Sequence, residues 1–347
     1  MISFHITSGT IASGGLAEHR IREELLALRD AGHPSLVFGA PGLAEFGGAD
    51  AGPARGRGPL AVFSGASLAD RVMSAASKAR PSVIHAHGWD AIRTGHAVAK
   101  DIGAPLVVEV IEPFARGRHD ANVLSLADRI VTPAASVAAQ LATLGGDTRR
   151  IVHLRGSLDH DDLAPAPGET IMLPADRDFL LVFAPLAEGN LDACLAGLDT
   201  AIASNARLHL LIMGHPIGKD ALKAVSARGL VPRVTFGGHP PVAFLAEQMD
   251  RARGAFFAVP DPGAIEPYAL LALASRTRLV AVESEYARAL FADAAHYVGA
   301  TDAIGLGAAL LYAMKSPKRV GGIAGEDSGR AALGERLSAI YAEIARV

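Results

Sequence analysis

Short apolar runs alternate along the chain with stretches of helical period. "ISFHI" (2–6) reads as a strand. It is followed by "LAEHRIREELLALRDAG", in which Leu16, Ile21, Leu25 and Leu28 fall on one helical face and Gly32 marks the stop. "SLVF", "LAVF", "SVIHAH", "PLVVEVI" and "RIVT" continue the strand series, with helical stretches between most of them. Such βα alternation implies a mostly parallel sheet covered on both faces. The pattern breaks at Arg155–Gly168, "RGSLDHDDLAPAPG", where Asp, Pro and Gly accumulate as in an interdomain linker. A second series follows: "FLLVFA", "LHLLIMG", "RVTF", "GAFFAV" and "RLVAV". A last helix is predicted in "GRAALGERLSAIYAEIARV". The expected fold class is therefore α/β, with two doubly wound Rossmann-like domains over 1–160 and 161–325 and a terminal helical segment over 326–347. In doubly wound sheets ligands sit at the carboxyl ends of the strands, so a crevice between two such edges is the expected binding place.

Composition narrows the function classes. The 347 residues are 50% apolar and 20% charged, which is a packed chain with no disordered character. A net charge of −3 gives no basic excess for nucleic acid. The single cysteine, Cys194, rules out an intrachain disulfide and suits a reducing cytoplasm. "MISFHITSGT" lacks the basic and apolar regions of a signal peptide, and no run approaches the roughly 18 apolar residues that span a bilayer. The helix over Leu68–Arg80 carries Arg71, Lys78 and Arg80; this face reads either as solvated or as a peripheral contact for the anionic inner face of a membrane. Gly39–Pro59 is a long Gly- and Pro-rich loop, either a functional segment or an exposed insertion.

Several motifs carry candidate chemistry. Gly14 and Gly15 follow the first strand and precede a helix; without Cβ atoms their backbone N–H groups can approach a phosphate, although a plain tight turn has the same sequence. His85 and His87 lie two apart on a strand and share one face. No third ligand has suitable spacing, so no metal site is expected, and His87 is left as either a hydrogen-bonding residue at the crevice edge or a buried structural histidine.

The ordered series "SGGLAEHRIREELLALRDAGH", "SVIHAHGWDA", "ADRIVTPAASVAAQLATLGGDTRRIVHLRGSLD", "RLHLLIMGHP", "VPRVTFGGHPP" and "GAIEPYALLALASRTRLVA" resembles the family-4 retaining glycosyltransferases of GT-B fold over nearly the whole chain. The resemblance implies sugar transfer from a nucleotide-sugar donor to a glycan, lipid or small-molecule acceptor. It implies no cofactor and no obligatory metal. It makes the first domain the acceptor side and the second the donor side, closing about the Arg155–Gly168 linker, with the terminal helix crossing back to the first domain. Gly14, Gly15, Gly214, Gly237, Gly238, His239, Gly263, Ala264, Ile265 and Glu266 take the donor-binding positions, and His87 and Arg155 the acceptor or crevice positions. Glu112, which can act on an acceptor hydroxyl, and Glu266 are the catalytic candidates.

The resemblance fails at three places. Ile111 stands where the family has a histidine beside the reacting sugar. Ala184-Pro185, with Glu188 and Asn190, replaces the Gly-Arg and Lys that neutralise the diphosphate, a loss on the scale of about 3 kcal/mol per electrostatic donor. Leu271 stands at the glutamate that grips the ribose if "LALASRTRLVA" is aligned on the family's pattern; matching Glu266 to the first glutamate instead puts Ala274 there. Arg116, Arg118, Arg155 and Lys219 are the cations that a re-sited clamp would draw on, and each otherwise reads as a solvated charge. Two functions follow: a divergent glycosyltransferase, or a catalytically inactive relative acting as a binding or regulatory scaffold. A nucleotide-sugar epimerase of related fold ranks behind both, because the hinge and the His-x-His series favour a transferase.

Overall fold

A computed structural model describes residues 1–7, 16–39, 43, 46, 67–116, 119–144, 147–158, 178–183, 191–205, 207–213, 219–238, 240, 242–259, 261–275, 277–316 and 329–345. The chain divides into two compact units, Met1–Ser157 with Glu326–Val347, and Leu158–Gly325.

The first unit runs β1 (Ser3–Thr7), α1 (Leu16–Asp30), β2 (Ser35–Phe38), α2 (Leu68–Ala79), β3 (Val83–His87), α3 (Ile92–Ile102), β4 (Leu106–Glu109), β5 (Arg129–Thr132), α4 (Ala135–Thr143) and β6 (Ile151–His153). The second runs β7 (Phe179–Phe183), α5 (Leu191–Ser204), β8 (His209–Met213), α6 (Lys219–Ala227), β9 (Val234–Gly238), α7 (Val242–Arg251), β10 (Gly254–Phe257), α8 (Glu266–Ala274), β11 (Leu279–Val282), α9 (Glu285–Phe291), β12 (Ala295–Val298) and α10 (Ala303–Lys315). The last helix, α11 (Arg330–Ile344), belongs to the first unit.

Each unit holds a six-stranded, all-parallel sheet. The first has the order β2-β1-β3-β4-β5-β6 and the second β12-β11-β10-β7-β8-β9. Both are doubly wound, and the order reverses between β1 and β3 in one and between β7 and β10 in the other. Ligands of such sheets bind outside the carboxyl ends of the strands at these switch points. β6 and β12, which the apolar pattern did not signal, are short edge strands of three and four residues. Strands this short are half-exposed at an edge and too brief to display a period. The expected strand "LAVF", the linker after Leu158 and most of Gly39–Pro59 lie outside the described residues.

Strand alternation splits the first unit into two faces of different chemistry. Phe4, Ile6, Ile84, Ala86, Leu106, Val108 and Ile130 join the buried residues of α2, α3 and α4 in one apolar layer. On the other face Val83, Val107 and Val131 meet Ala27 and Leu28 of α1 and Leu333, Leu337, Ile340, Tyr341 and Ile344 of α11. α1 and α11 touch closely: a Cβ on Gly334 would stand 2.5 Å from the carbonyl oxygen of Ala27. Arg330 at the start of α11 also pairs with buried Glu23 at 3.2 Å, and Ser157 donates to the same carboxylate at 3.0 Å.

In the second unit, Leu180, Val182, Leu210, Ile212, Phe256 and Val280 pack against Leu195, Leu198 and Ala201 of α5 and Leu306, Leu310 and Ala313 of α10. No described helix is long and apolar enough to cross a membrane.

Candidate functional site

The second unit's switch point is built on an aromatic floor. Phe183 ends β7 and Phe257 ends β10; their rings stack at 4.5 Å, and Tyr268 lies 5.6 Å from Phe183. Beyond β10 the chain makes a short 3-10 turn over Pro262–Ile265 and enters α8 at Glu266. Asp261 caps this turn, its carboxylate accepting from the Gly263 N–H at 2.8 Å, and the Ala264 N–H bonds the Asp261 carbonyl at 3.1 Å. Gly263 and Glu266 are buried while Ala264 and Ile265 are half-buried. Glu266 lies in the first helical turn, where the helix dipole favours a carboxylate. The Tyr268 hydroxyl donates to the Pro240 carbonyl at 2.7 Å, which ties α8 to the segment after β9, and burial pushes this phenol's pKa up. Gly237 and Gly238 end β9 at an irregularity against Met213; Gly238 has φ +61°, which glycine adopts without strain.

The predicted donor positions Gly237 and Gly238 thus end β9, and Gly263, Ala264, Ile265 and Glu266 follow β10, with β7 and β8 between the two strands; the Tyr268–Pro240 bond joins the segments that follow them. Gly14, Gly15, Gly214 and His239 are outside the described residues, as are Ala184-Pro185, Glu188, Asn190, Arg118 and Arg276. Leu271 is buried in α8 with 1% of its surface exposed, so it is a core residue with no hydroxyl-binding capacity. Arg278 leads into β11, at the amino end of its strand and so at the edge opposite the switch point.

In the first unit, Glu112 is exposed just past β4, its carbonyl accepting from the Trp89 indole at 3.0 Å. Arg155 is half-buried after β6. His87 is at the carboxyl end of β3, 2% exposed, and both its ring nitrogens are engaged: Nε2 with His5 Nδ1 at 2.9 Å, and Nδ1 with the Glu109 carboxylate at 2.8 Å. Of the two roles open to it from sequence, the buried one holds.

His87 belongs to a polar cluster under α1 and α11. The parallel register sets His5 beside His85 and His87 beside Glu109, all on the face that carries Val83 and Val107. Arg20 and Glu24, one turn apart on α1, reach the same place: Arg20 pairs with Glu24 at 2.9 Å and with Glu109 at 2.8 Å, and donates to the Leu154 carbonyl at 3.0 Å. His85 Nδ1 meets the Tyr341 hydroxyl of α11 at 2.7 Å, and His5 Nε2 meets Ser3 Oγ at 3.0 Å. Burial, with the neighbouring His87, holds His5 and His85 well below the usual imidazole range. Burial, with the Glu109 charge, raises Glu24 well above the usual carboxylate range. Burial opposes ionisation of Glu109 as well, but Arg20 and the bond to His87 outweigh it and leave that carboxyl well below its usual value. Sequence reasoning placed only His85 and His87 here. His5, Arg20, Glu24 and Tyr341 are separated from them by up to 256 residues, and the one available signal was the run of charges "EHRIREE" (18–24) on α1.

No family model matches the chain, and no curated protein matches it. Solved structures do. Anabaena HepE in complex with UDP and glucose superposes with a TM-score of 0.64 at 14% identity, covering 99% of this chain and 100% of that one. A glycosyltransferase from Rickettsia africae gives 0.63 at 12% identity, with 99% and 98% covered. A putative UDP-N-acetylglucosamine 2-epimerase from Listeria monocytogenes gives 0.57 at 11% identity, with 100% and 97% covered. The chain therefore has the GT-B, Rossmann-like glycosyltransferase fold.

Proposed function

We propose that the protein is a retaining glycosyltransferase of the family-4 type that takes its sugar from a nucleotide donor. The observation that carries this reading is the second unit's switch point, where the Asp261–Glu266 turn and the start of α8 follow β10, with Tyr268 tying α8 to the segment after the glycine end of β9. The start of α8 sets the positive end of its helix dipole at this edge, which favours a diphosphate, and backbone at a glycine pair accepts a nucleobase without needing a particular side chain. In transfer, the bond between the sugar's anomeric carbon and the diphosphate breaks, an acceptor oxygen bonds to the same face of that carbon, and the acceptor proton leaves with the diphosphate or a nearby base. Glu266 contacts the donor, Glu112 orients the acceptor hydroxyl, and Arg155 adds positive charge. The transfer needs no cofactor and no metal at the diphosphate. The acceptor is a glycan, lipid or small molecule, and the reaction belongs to the cytoplasm, where an acceptor at the inner membrane face is within reach.

Leu271 favours a second reading. A buried leucine where relatives by resemblance carry a ribose-binding glutamate suits a catalytically inactive relative that acts as a binding or regulatory scaffold. Binding of UDP, GDP and ADP, and release of nucleoside diphosphate from their sugars with and without added acceptors, separate the two. Micromolar binding with steady release that falls at least tenfold in Glu266→Gln supports transfer; neither binding nor release overturns transfer and supports the scaffold.

A further inference from the structure

The buried histidine cluster of the first unit has a geometry its own hydrogen bonds do not complete. His5, Glu24, His85 and His87 each offer a ligand atom within 4.8 Å of the others, and all four side chains are buried. Each imidazole uses one nitrogen outward: His5 Nε2 on Ser3, His87 Nδ1 on Glu109, His85 Nδ1 on Tyr341. That leaves His5 Nδ1, His87 Nε2 and His85 Nε2, while His85 Nδ1, besides Tyr341, also lies 3.8 Å from Glu24 Oε2. The first two face each other at 2.9 Å, whereas His85 Nε2 has no hydrogen-bond partner. Neither carboxylate oxygen of Glu24 takes a well-aligned hydrogen bond, although Arg20 lies 2.9 Å from one of them.

We propose that His5, His85, His87 and Glu24 form a tetrahedral site for a divalent first-row metal ion, zinc being the best fit, that pins α1 to β1 and β3. Three imidazoles and a carboxylate are a zinc donor set. Ligating histidines commonly give their second nitrogen to a carboxylate, hydroxyl or carbonyl, which fixes the tautomer; here all three have such a partner in place. Charge points the same way. With neutral imidazoles, Arg20 alone faces two carboxylates, Glu24 and Glu109, so one negative charge awaits a proton or a cation. Zinc bonds of about 2.0–2.1 Å set tetrahedral ligand atoms about 3.3 Å apart. The His5–His87 nitrogens must therefore part by a few tenths of an ångström and the wider pairs draw in. Since the ligands are shielded from solvent, the ion enters during folding, and it plays no part in sugar transfer.

The test refolds the full chain from denaturant with excess Zn²⁺ or Co²⁺, strips loose metal with a chelator and measures metal by mass spectrometry. One zinc per chain is expected, together with the intense visible bands of tetrahedral Co²⁺. His85→Asn and Glu24→Gln should lower retention at least tenfold, while the control His153→Ala, at an exposed strand end, should not. Should a cluster variant fail to fold, the wild-type Co²⁺ spectrum decides. Wild-type chain that retains less than a tenth of an equivalent, gives octahedral Co²⁺ bands, or binds no better than folded His85→Asn overturns the site.

Discussion

Single residues in this protein do work that their neighbours in sequence do not advertise. Arg20 and Glu24 sit on the strongly charged segment of α1, and a charge run on a surface helix is ordinarily solvated. Here both are buried, because α11 covers the side of α1 that would otherwise face water. Arg20 and Glu109 hold their charges as a pair, with Glu109 between Arg20 and His87. Without Glu109 the buried Arg20 is left with Glu24, whose ionisation burial opposes, and His87 loses its carboxylate partner. Glu109→Gln should therefore cost about 3–5 kcal/mol in denaturant unfolding, whereas an unchanged midpoint would mean that the pair is solvated. At Leu271 the expectation is a plain core effect: Leu271→Ala should lose about 2–5 kcal/mol, with thermal unfolding as the readout. The apolar face of α1 was legible, since Ile21, Leu25 and Leu28 are all fully buried. The partners of its charges were not, because parallel register and a helix more than 300 residues away bring them together.

At the scale of elements, most strands read from sequence are apolar runs buried on both sides, and the edge strands β2 and β9 were read as well. β6 and β12 escaped because a histidine breaks the apolar run in each of these short strands. The turn into α8 was legible as a helix start from "GAIEP", but its capping by Asp261 was not, since a carboxylate two residues before a glycine is common in loops. The packing of α11 on α1 leaves no room at Gly334. Gly334→Ala forces a Cβ to 2.5 Å from a backbone oxygen, and overpacking of this kind costs about 1–3 kcal/mol; chemical unfolding checks it. At the start of α2, Ser67 and Asp70 form a reciprocal capping box. Ser67→Ala should cost about 1 kcal/mol, seen as faster amide exchange over the first turn of α2.

For the whole molecule, two doubly wound sheets with their switch points between β1 and β3 and between β7 and β10 are the frame on which function is built. The paired-sheet fold was readable because βα alternation appears twice with a Pro- and Asp-rich break between. What the sequence made legible of the candidate site is position alone: the glycines of β9 and the turn before α8 could be set after strands, whereas the charged residues that would grip a diphosphate have no counterpart in the sequence pattern. A likeness at 11–12% identity spans a glycosyltransferase and a protein described as a UDP-N-acetylglucosamine 2-epimerase, so the fold leaves the chemistry to be tested on the chain itself. Isothermal titration of the full protein with UDP, GDP and ADP does so most directly. Saturable binding of at least one of them with a micromolar Kd, about −8 kcal/mol, weakened tenfold or more in Glu266→Gln, is the expected result. No heat from any of the three at millimolar concentration, or binding indifferent to Glu266, would contradict a donor site at the start of α8.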